Sequence, residues 1–149
     1  MMHNLLFLCT GNYYRSRFAE ILFNALAAQL HLNWKADSRG IAVESGNGNI
    51  GPISTDAVKG LQARGIDVKN NTRSPIQLQE HDLAQADLII ALKEAEHRPY
   101  LEKRFPGWAE RVEYWHIHDL DGASADEALP ELEREVRALI QRLATEEFL

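Results

Sequence analysis

The amino-acid sequence predicts an α/β domain: a four-stranded parallel sheet with helices on both faces. Three observations carry that expectation. Short apolar runs at 4–8 and 87–92 are too brief for helices and too continuous for strands wetted on one face. These runs alternate along the chain with stretches of helical period. A length of 149 residues, 45% apolar and 26% charged, suits one core-burying domain spanning 1–149, and only 9 Gly and 5 Pro argue against a disordered or fibrous chain.

Asn4-Leu5-Leu6-Phe7-Leu8 reads as a buried first strand that stops at Cys9-Thr10-Gly11-Asn12, whose Gly and Asn punctuate a turn. From Arg17 the apolar positions Phe18, Ile21, Leu22, Ala25, Leu26 and Leu30 recur at three and four, marking one face of a helix that Ser16 is placed to cap. A second strand is expected over Ile41-Ala42-Val43, followed by the turn-rich loop 45–49. A helix follows at 55–64, ended by Gly65 in the usual C-terminal position. After a polar stretch at 77–85, the run at 87–92 forms the next strand. A helix from Lys93 is expected to be interrupted near Pro99 and stopped by Pro106-Gly107. Residues 112–117 form a fourth strand leading into the loop His118-Asp119-Leu120-Asp121-Gly122. Ser124 and Glu127 have capping-box spacing, and Leu132, Val136, Leu139, Ile140 and Leu143 mark one face of a terminal helix. Ligand sites in such folds lie beyond the carboxyl ends of the strands.

Charge and cysteine content narrow the function. The net charge of -6 is concentrated late: from Ala109 onward 4 basic residues face 11 acidic ones, a net of -7. With no basic cluster to release counterions, a nucleic-acid partner is not expected. No stretch approaches the roughly 18 apolar residues of a spanning helix, and no basic segment precedes the first apolar run. Neither membrane insertion nor secretion is indicated, and a cytoplasmic location is expected. The single cysteine, Cys9, leaves no internal disulfide, CxxC pair or thiolate-rich metal site. A lone cysteine is most often a small buried hydrophobe, so its neighbours must supply the case for chemistry.

They do so in Cys9-Thr10-Gly11-Asn12-Tyr13-Tyr14-Arg15-Ser16. Five residues between Cys9 and Arg15 can wrap a tetrahedral oxyanion with successive backbone N–H groups, while the following helix adds positive potential at the rim. Gly11 permits close backbone approach. The same field favours a thiolate at Cys9. Arg15 offers a planar fork for two phosphoryl oxygens, and Ser16 can donate to the Cys9 sulfur as nucleophile and later as leaving group.

This segment resembles the low-molecular-weight protein tyrosine phosphatases, whose nucleophile loop reads C-x5-R-[ST] near the N-terminus. Val43-Glu44-Ser45-Gly46 resembles the family's Ser-Ala-Gly segment, 87–92 its central strand and the Asp119 loop its acid loop, so the likeness covers most of the chain. The resemblance implies a phosphate-binding loop formed by Thr10, Gly11, Asn12, Tyr13, Tyr14, Arg15 and Ser16. It makes Cys9 the nucleophile, Arg15 the phosphoryl ligand, Asn12 the holder of the loop's shape through Ser45, Ser16 the thiolate's partner and Asp119 the general acid. It implies no metal and no cofactor. The substrate would be a phosphorylated protein, with phosphotyrosine first, or a small phosphomonoester.

Asp119 suits that role because a departing alkoxide or phenolate needs a proton, and the same group can then activate water. Asp121 is the alternative acid, and His116 and His118 are further candidates. The family's acid loop has Asp-Pro and then an aromatic wall, where this chain has Leu120 and Asp121. Tyr13 and Tyr14 either replace that wall or pack against the sheet. Arg17 stands in place of the family's Pro and reads as a solvated cation. Lys93 replaces an acid after the central strand. Trp34, Trp108 and Trp115 read as packing residues. Two other activities fit the loop. One is arsenate reduction with an external thiol, since the relay cysteines of thioredoxin-coupled reductases are missing. The other is non-catalytic binding of phosphoproteins.

Overall fold

A computed structural model gives the fold, and the structure describes residues 1–149 except Asn47, 120–123 and Leu149. Strands β1 (His3–Cys9), β2 (Trp34–Gly40), β3 (Leu88–Ala91) and β4 (Glu113–Tyr114) form one parallel sheet in the order β2-β1-β3-β4. The helices are α1 (Arg15–Gln29), α2 (Thr55–Gln62), α3 (Glu80–Gln85), α4 (Glu94–Arg104) and α5 (Ala125–Phe148). The expected class, a parallel α/β sheet with helices on both faces, is the class observed.

β1 is apolar throughout because it is central and covered on both faces. Leu5 and Phe7 enter a core shared with α1, α2 and α5, while Leu6 and Leu8 enter a second core with α3 and α4. β3 splits in the same way, Ile90 to the first core and Ile89 and Ala91 to the second. The five terminal-helix positions read from the sequence are all buried in the first core. Trp115 packs against Phe7 with ring centroids 5.8 Å apart, and Arg111 lies 4.8 Å over the Trp108 ring.

The second strand lies earlier than expected, at Trp34–Gly40 rather than 41–43. β2 is an edge strand whose buried positions are the small residues Ala36, Ser38 and Gly40, so it carries no large apolar alternation. Ile41 and Ala42 are buried just beyond it, and Val43–Ser45 make a single 3₁₀ turn. The polar stretch before β3 contains α3, capped reciprocally by Gln79 and Asp82. α4 runs through Pro99 without ending there. The fourth strand pairs over two residues only. α1 begins at Arg15, so Ser16 lies inside its first turn rather than capping it; Tyr14 holds the N-cap position with no side-chain cap.

Because β1 sits beside β3, the helix after β1 crosses to one face and the helix after β3 to the other. The chain therefore parts at their carboxyl ends, where a crevice is expected in an open α/β sheet. Cys9, the loop after it and the start of α4 meet there.

Candidate active site

Cys9 ends β1 and is buried, with Sγ 2.9 Å from the Ser16 hydroxyl. The loop from Cys9 to Arg15 is tied down from outside: Ile41 N–H donates to the Cys9 carbonyl, Ala42 N–H to Thr10 and Ser54 N–H to Tyr13. Asn12 takes a left-handed conformation at φ 52°, which Asn tolerates better than most residues. Gly40 is needed beside it, since a Cβ there would stand 2.8 Å from the Thr10 carbonyl oxygen and 3.1 Å from the Asn12 Cβ. Among the described residues, no main-chain N–H from Gly11 to Arg15 donates to a protein acceptor. α1 starts immediately after with no side-chain cap and no acid in its first turn, so its positive end is uncompensated.

Arg15 is buried and held from the far wall. Its Nη1 donates to the Ile117 carbonyl at 3.0 Å, its Nη2 to Glu96 Oε2 at 2.7 Å, and Asp119 Oδ2 lies 3.6 Å from Nη2. Burial penalises the cation, yet Cys9, Glu96 and Asp119 together hold Arg15 above the ordinary arginine value. Glu96 also accepts from the Thr10 hydroxyl and lies 3.1 Å from His97 Nε2. Burial works against its charge, but His97 and Arg15 keep Glu96 well below the usual carboxylate range. His97 accepts the Lys93 N–H on Nδ1, leaving Nε2 to face Glu96, and burial pushes its pKa down, so the ring stays neutral. Among the described residues, no group of three or more His, Cys, Asp or Glu is arranged to hold a metal ion.

The structure thus brings Cys9, Thr10, Asn12, Arg15, Ser16 and Asp119 together, and it revises several expectations. Ser45 does not reach Asn12; its hydroxyl donates to the Ala42 carbonyl, and Ser38 on β2 bonds Asn12 instead, at 2.9 Å. Arg17 is fully buried rather than solvated, donating to the carbonyls of Pro52, Asn71 and Arg73. Tyr14 is buried in the first core and is no pocket wall, whereas half-buried Tyr13 donates to the Ile50 carbonyl at 2.5 Å. His118 is exposed and pairs with Lys93 Nζ at 2.9 Å, and His116 is exposed. Asp121 lies outside the described residues. Glu96, Ser38 and Arg73 were not anticipated. The only sequence signal for Glu96 is its place one helical turn after Lys93, where an acid can reach the same wall.

Fold and site together define a parallel α/β domain with a cysteine at the foot of the loop between its first strand and first helix. The family model for low molecular weight phosphotyrosine protein phosphatase matches residues 4–148. A relative from Bacillus subtilis (strain 168), a protein-arginine-phosphatase, is 33% identical over 109 residues, 73% of this chain and 67% of its own. Among solved structures, a low molecular weight protein tyrosine phosphatase from T. tengcongensis is 28% identical with TM-score 0.74, over 97% of this chain and 99% of that one. YfkJ from Bacillus subtilis is 25% identical with TM-score 0.81, over 98% and 97%. The chain belongs to the low molecular weight phosphotyrosine protein phosphatase family and is a cysteine-based phosphatase.

Proposed function

We propose that this chain hydrolyses phosphomonoesters through a phosphocysteine on Cys9, with Asp119 as general acid and base and phosphotyrosine in proteins as the first substrate class. The observation that supports it best is the run of unclaimed N–H groups from Gly11 to Arg15, set between the Cys9 sulfur and an uncapped helix N-terminus. Those N–H groups and Arg15 bind the phosphoryl oxygens where transition-state charge gathers. The Cys9 thiolate attacks phosphorus, the bond from phosphorus to the ester oxygen breaks, and Asp119 gives that oxygen a proton. The Asp119 carboxylate then takes a proton from water, whose oxygen displaces Cys9 and releases inorganic phosphate. Half-buried Tyr13 and exposed Ile50, joined by a hydrogen bond, offer an aromatic ring a wall beside the loop.

The test is hydrolysis of para-nitrophenyl phosphate in chelator from pH 5 to 8. Cys9→Ser is expected to abolish turnover. Asp119→Asn should lower kcat on a phosphotyrosine peptide by about 10²-fold or more, with a smaller loss on the nitrophenyl ester because its leaving group needs less protonation. Turnover that persists in Cys9→Ser overturns the mechanism. The Bacillus relative favours phosphoarginine as a second substrate reading. Comparing kcat/KM on paired phosphotyrosine and phosphoarginine peptides decides between them.

A further inference from the structure

We propose that Arg73, which lies outside the phosphate-binding loop, is a positioning residue that sets the direction of the hydrogen-bond chain ending on the Cys9 sulfur; this rests on Cys9 being the nucleophile. Asn12 carries one acceptor and one double donor on its side chain, and its neighbours decide which faces which. Arg73 Nη1 and the Ile76 backbone N–H, both obligate donors, each lie 3.0 Å from the same Asn12 atom, which must be Oδ1. Nδ2 therefore faces inward and donates to Ser16 Oγ at 2.8 Å and Ser38 Oγ at 2.9 Å. Ser38 also receives Arg73 Nη2 at 3.1 Å and passes its own proton to Glu20 Oε1 at 2.5 Å. Ser16, having accepted from Asn12, keeps its proton for Cys9 Sγ, 2.9 Å away.

If the Asn12 amide turned over, Oδ1 would face Ser16 and compete with sulfur for that proton. Arg73 and Ile76 oppose the turn, because it would set NH₂ against two donors. Arg73 is itself held in place: fully buried Arg17 donates 2.7 Å bonds to the Arg73 and Asn71 carbonyls, and Glu20 accepts from Arg73 Nη2 at 3.2 Å. The Arg17 that replaces the family's Pro is thus the anchor of the segment that brings Arg73 to the loop.

The experiment is alkylation of Cys9 by iodoacetamide at one neutral pH, mapped by mass spectrometry, with kcat and KM for para-nitrophenyl phosphate and thermal melts on the same proteins. The proteins are wild type, Arg73→Met, Arg73→Lys, Ser16→Ala and Ser16→Ala/Arg73→Met. Arg73→Met is expected to slow alkylation and kcat about tenfold, the low end for a hydrogen bond to a charged group, with little change in KM. Arg73→Lys, which keeps a donor for Asn12, should stay near wild type. In the Ser16→Ala background the Arg73 effect should vanish, because the chain it directs is already cut. An equal Arg73 effect with and without Ser16, no effect in Arg73→Met, or Arg73→Lys as slow as Ser16→Ala overturns the proposal. If Arg73→Met fails to fold, the Arg73→Lys result decides in either direction. Turnover surviving Cys9→Ser would instead overturn the nucleophile assignment, which alkylation does not depend on.

Discussion

Glu96 is the strongest single test of how the site is held, because among the described residues it is the one carboxylate that meets Arg15, Thr10 and His97 together. Glu96→Gln keeps the shape and removes the charge facing a buried guanidinium. We expect a loss of about 2 kcal/mol in unfolding free energy and a fall in kcat/KM of roughly tenfold or more as Arg15 shifts. The pH dependence has a definite sign. The folded pKa of Glu96 lies below its ordinary 4.5, so its contribution is present above that pH and is lost as pH falls through the folded value. Denaturant melts of wild type and Glu96→Gln should therefore converge in acid. His97 adds a second window: its folded pKa is below 6.5, so the unfolded chain takes up the proton first and stability drops as pH falls below 6.5. His97→Gln should flatten that part of the curve. Tyr14 makes the opposite kind of prediction. Its hydroxyl is buried with no partner among the described residues, and burial, Asp56 and Asp119 push its pKa up to about 12. Tyr14→Phe removes an unsatisfied group and should raise stability by about 1 kcal/mol in the same melts. The residues proposed to react could be read in advance because Cys9, Arg15 and Ser16 fall within one turn and one loop. Glu96, Ser38 and Arg73 come from three other segments; Glu96 has only its helical spacing from Lys93 as a signal, and nothing local marks Ser38 or Arg73 as aimed at a loop far away in sequence.

Strands and helices were readable wherever burial left a pattern. β1 and β3 announced themselves by continuous apolar runs because each is covered on both faces. α5 did so because one face lies on the core, and at fully buried Leu132 on that face Leu132→Ala should cost about 2–5 kcal/mol by chemical unfolding. β2 was misplaced for the converse reason. At an edge, against the loop that follows Cys9, its inward positions must be small, and Ala36, Ser38 and Gly40 give no hydrophobic signal. That close approach makes its own prediction. A methyl group at position 40 would meet Val43 Cγ2 at 2.6 Å and the Thr10 carbonyl at 2.8 Å, so strand and loop must separate. Gly40→Ala should lower kcat/KM by about 10²-fold through a displaced Asn12, while far-ultraviolet circular dichroism stays near wild type. Loss of the fold with loss of activity would instead make Gly40 a requirement of the sheet.

One thiol serves the entire chain, and that fixes how the enzyme meets oxidants. Cys9 is the single cysteine of the sequence, and it is free. Peroxide converts a thiolate to sulfenic acid with release of hydroxide, and a neighbouring thiol can then displace water to close a disulfide that reductants reopen. This chain has no such neighbour. The loop residues between Cys9 and Arg15 include no thiol, and Tyr14, just before Arg15, has its ring packed into the core with α1, α2 and α5. The sulfenic acid is therefore left to meet either an external thiol or more peroxide, and the second path ends at sulfinic acid, which ordinary thiols do not reduce. Activity lost to excess peroxide should not return with dithiothreitol, and the Cys9 peptide should carry two added oxygens by mass spectrometry. Glutathione present during exposure should preserve recoverable activity in proportion to its concentration, since it competes for the sulfenic acid in a bimolecular step. Inorganic phosphate should slow the inactivation by occupying the loop above the sulfur. Full recovery on reduction without external thiol would show that Cys9 is shielded by something other than a second cysteine, and the Ser16 hydroxyl at 2.9 Å would be the first group to replace.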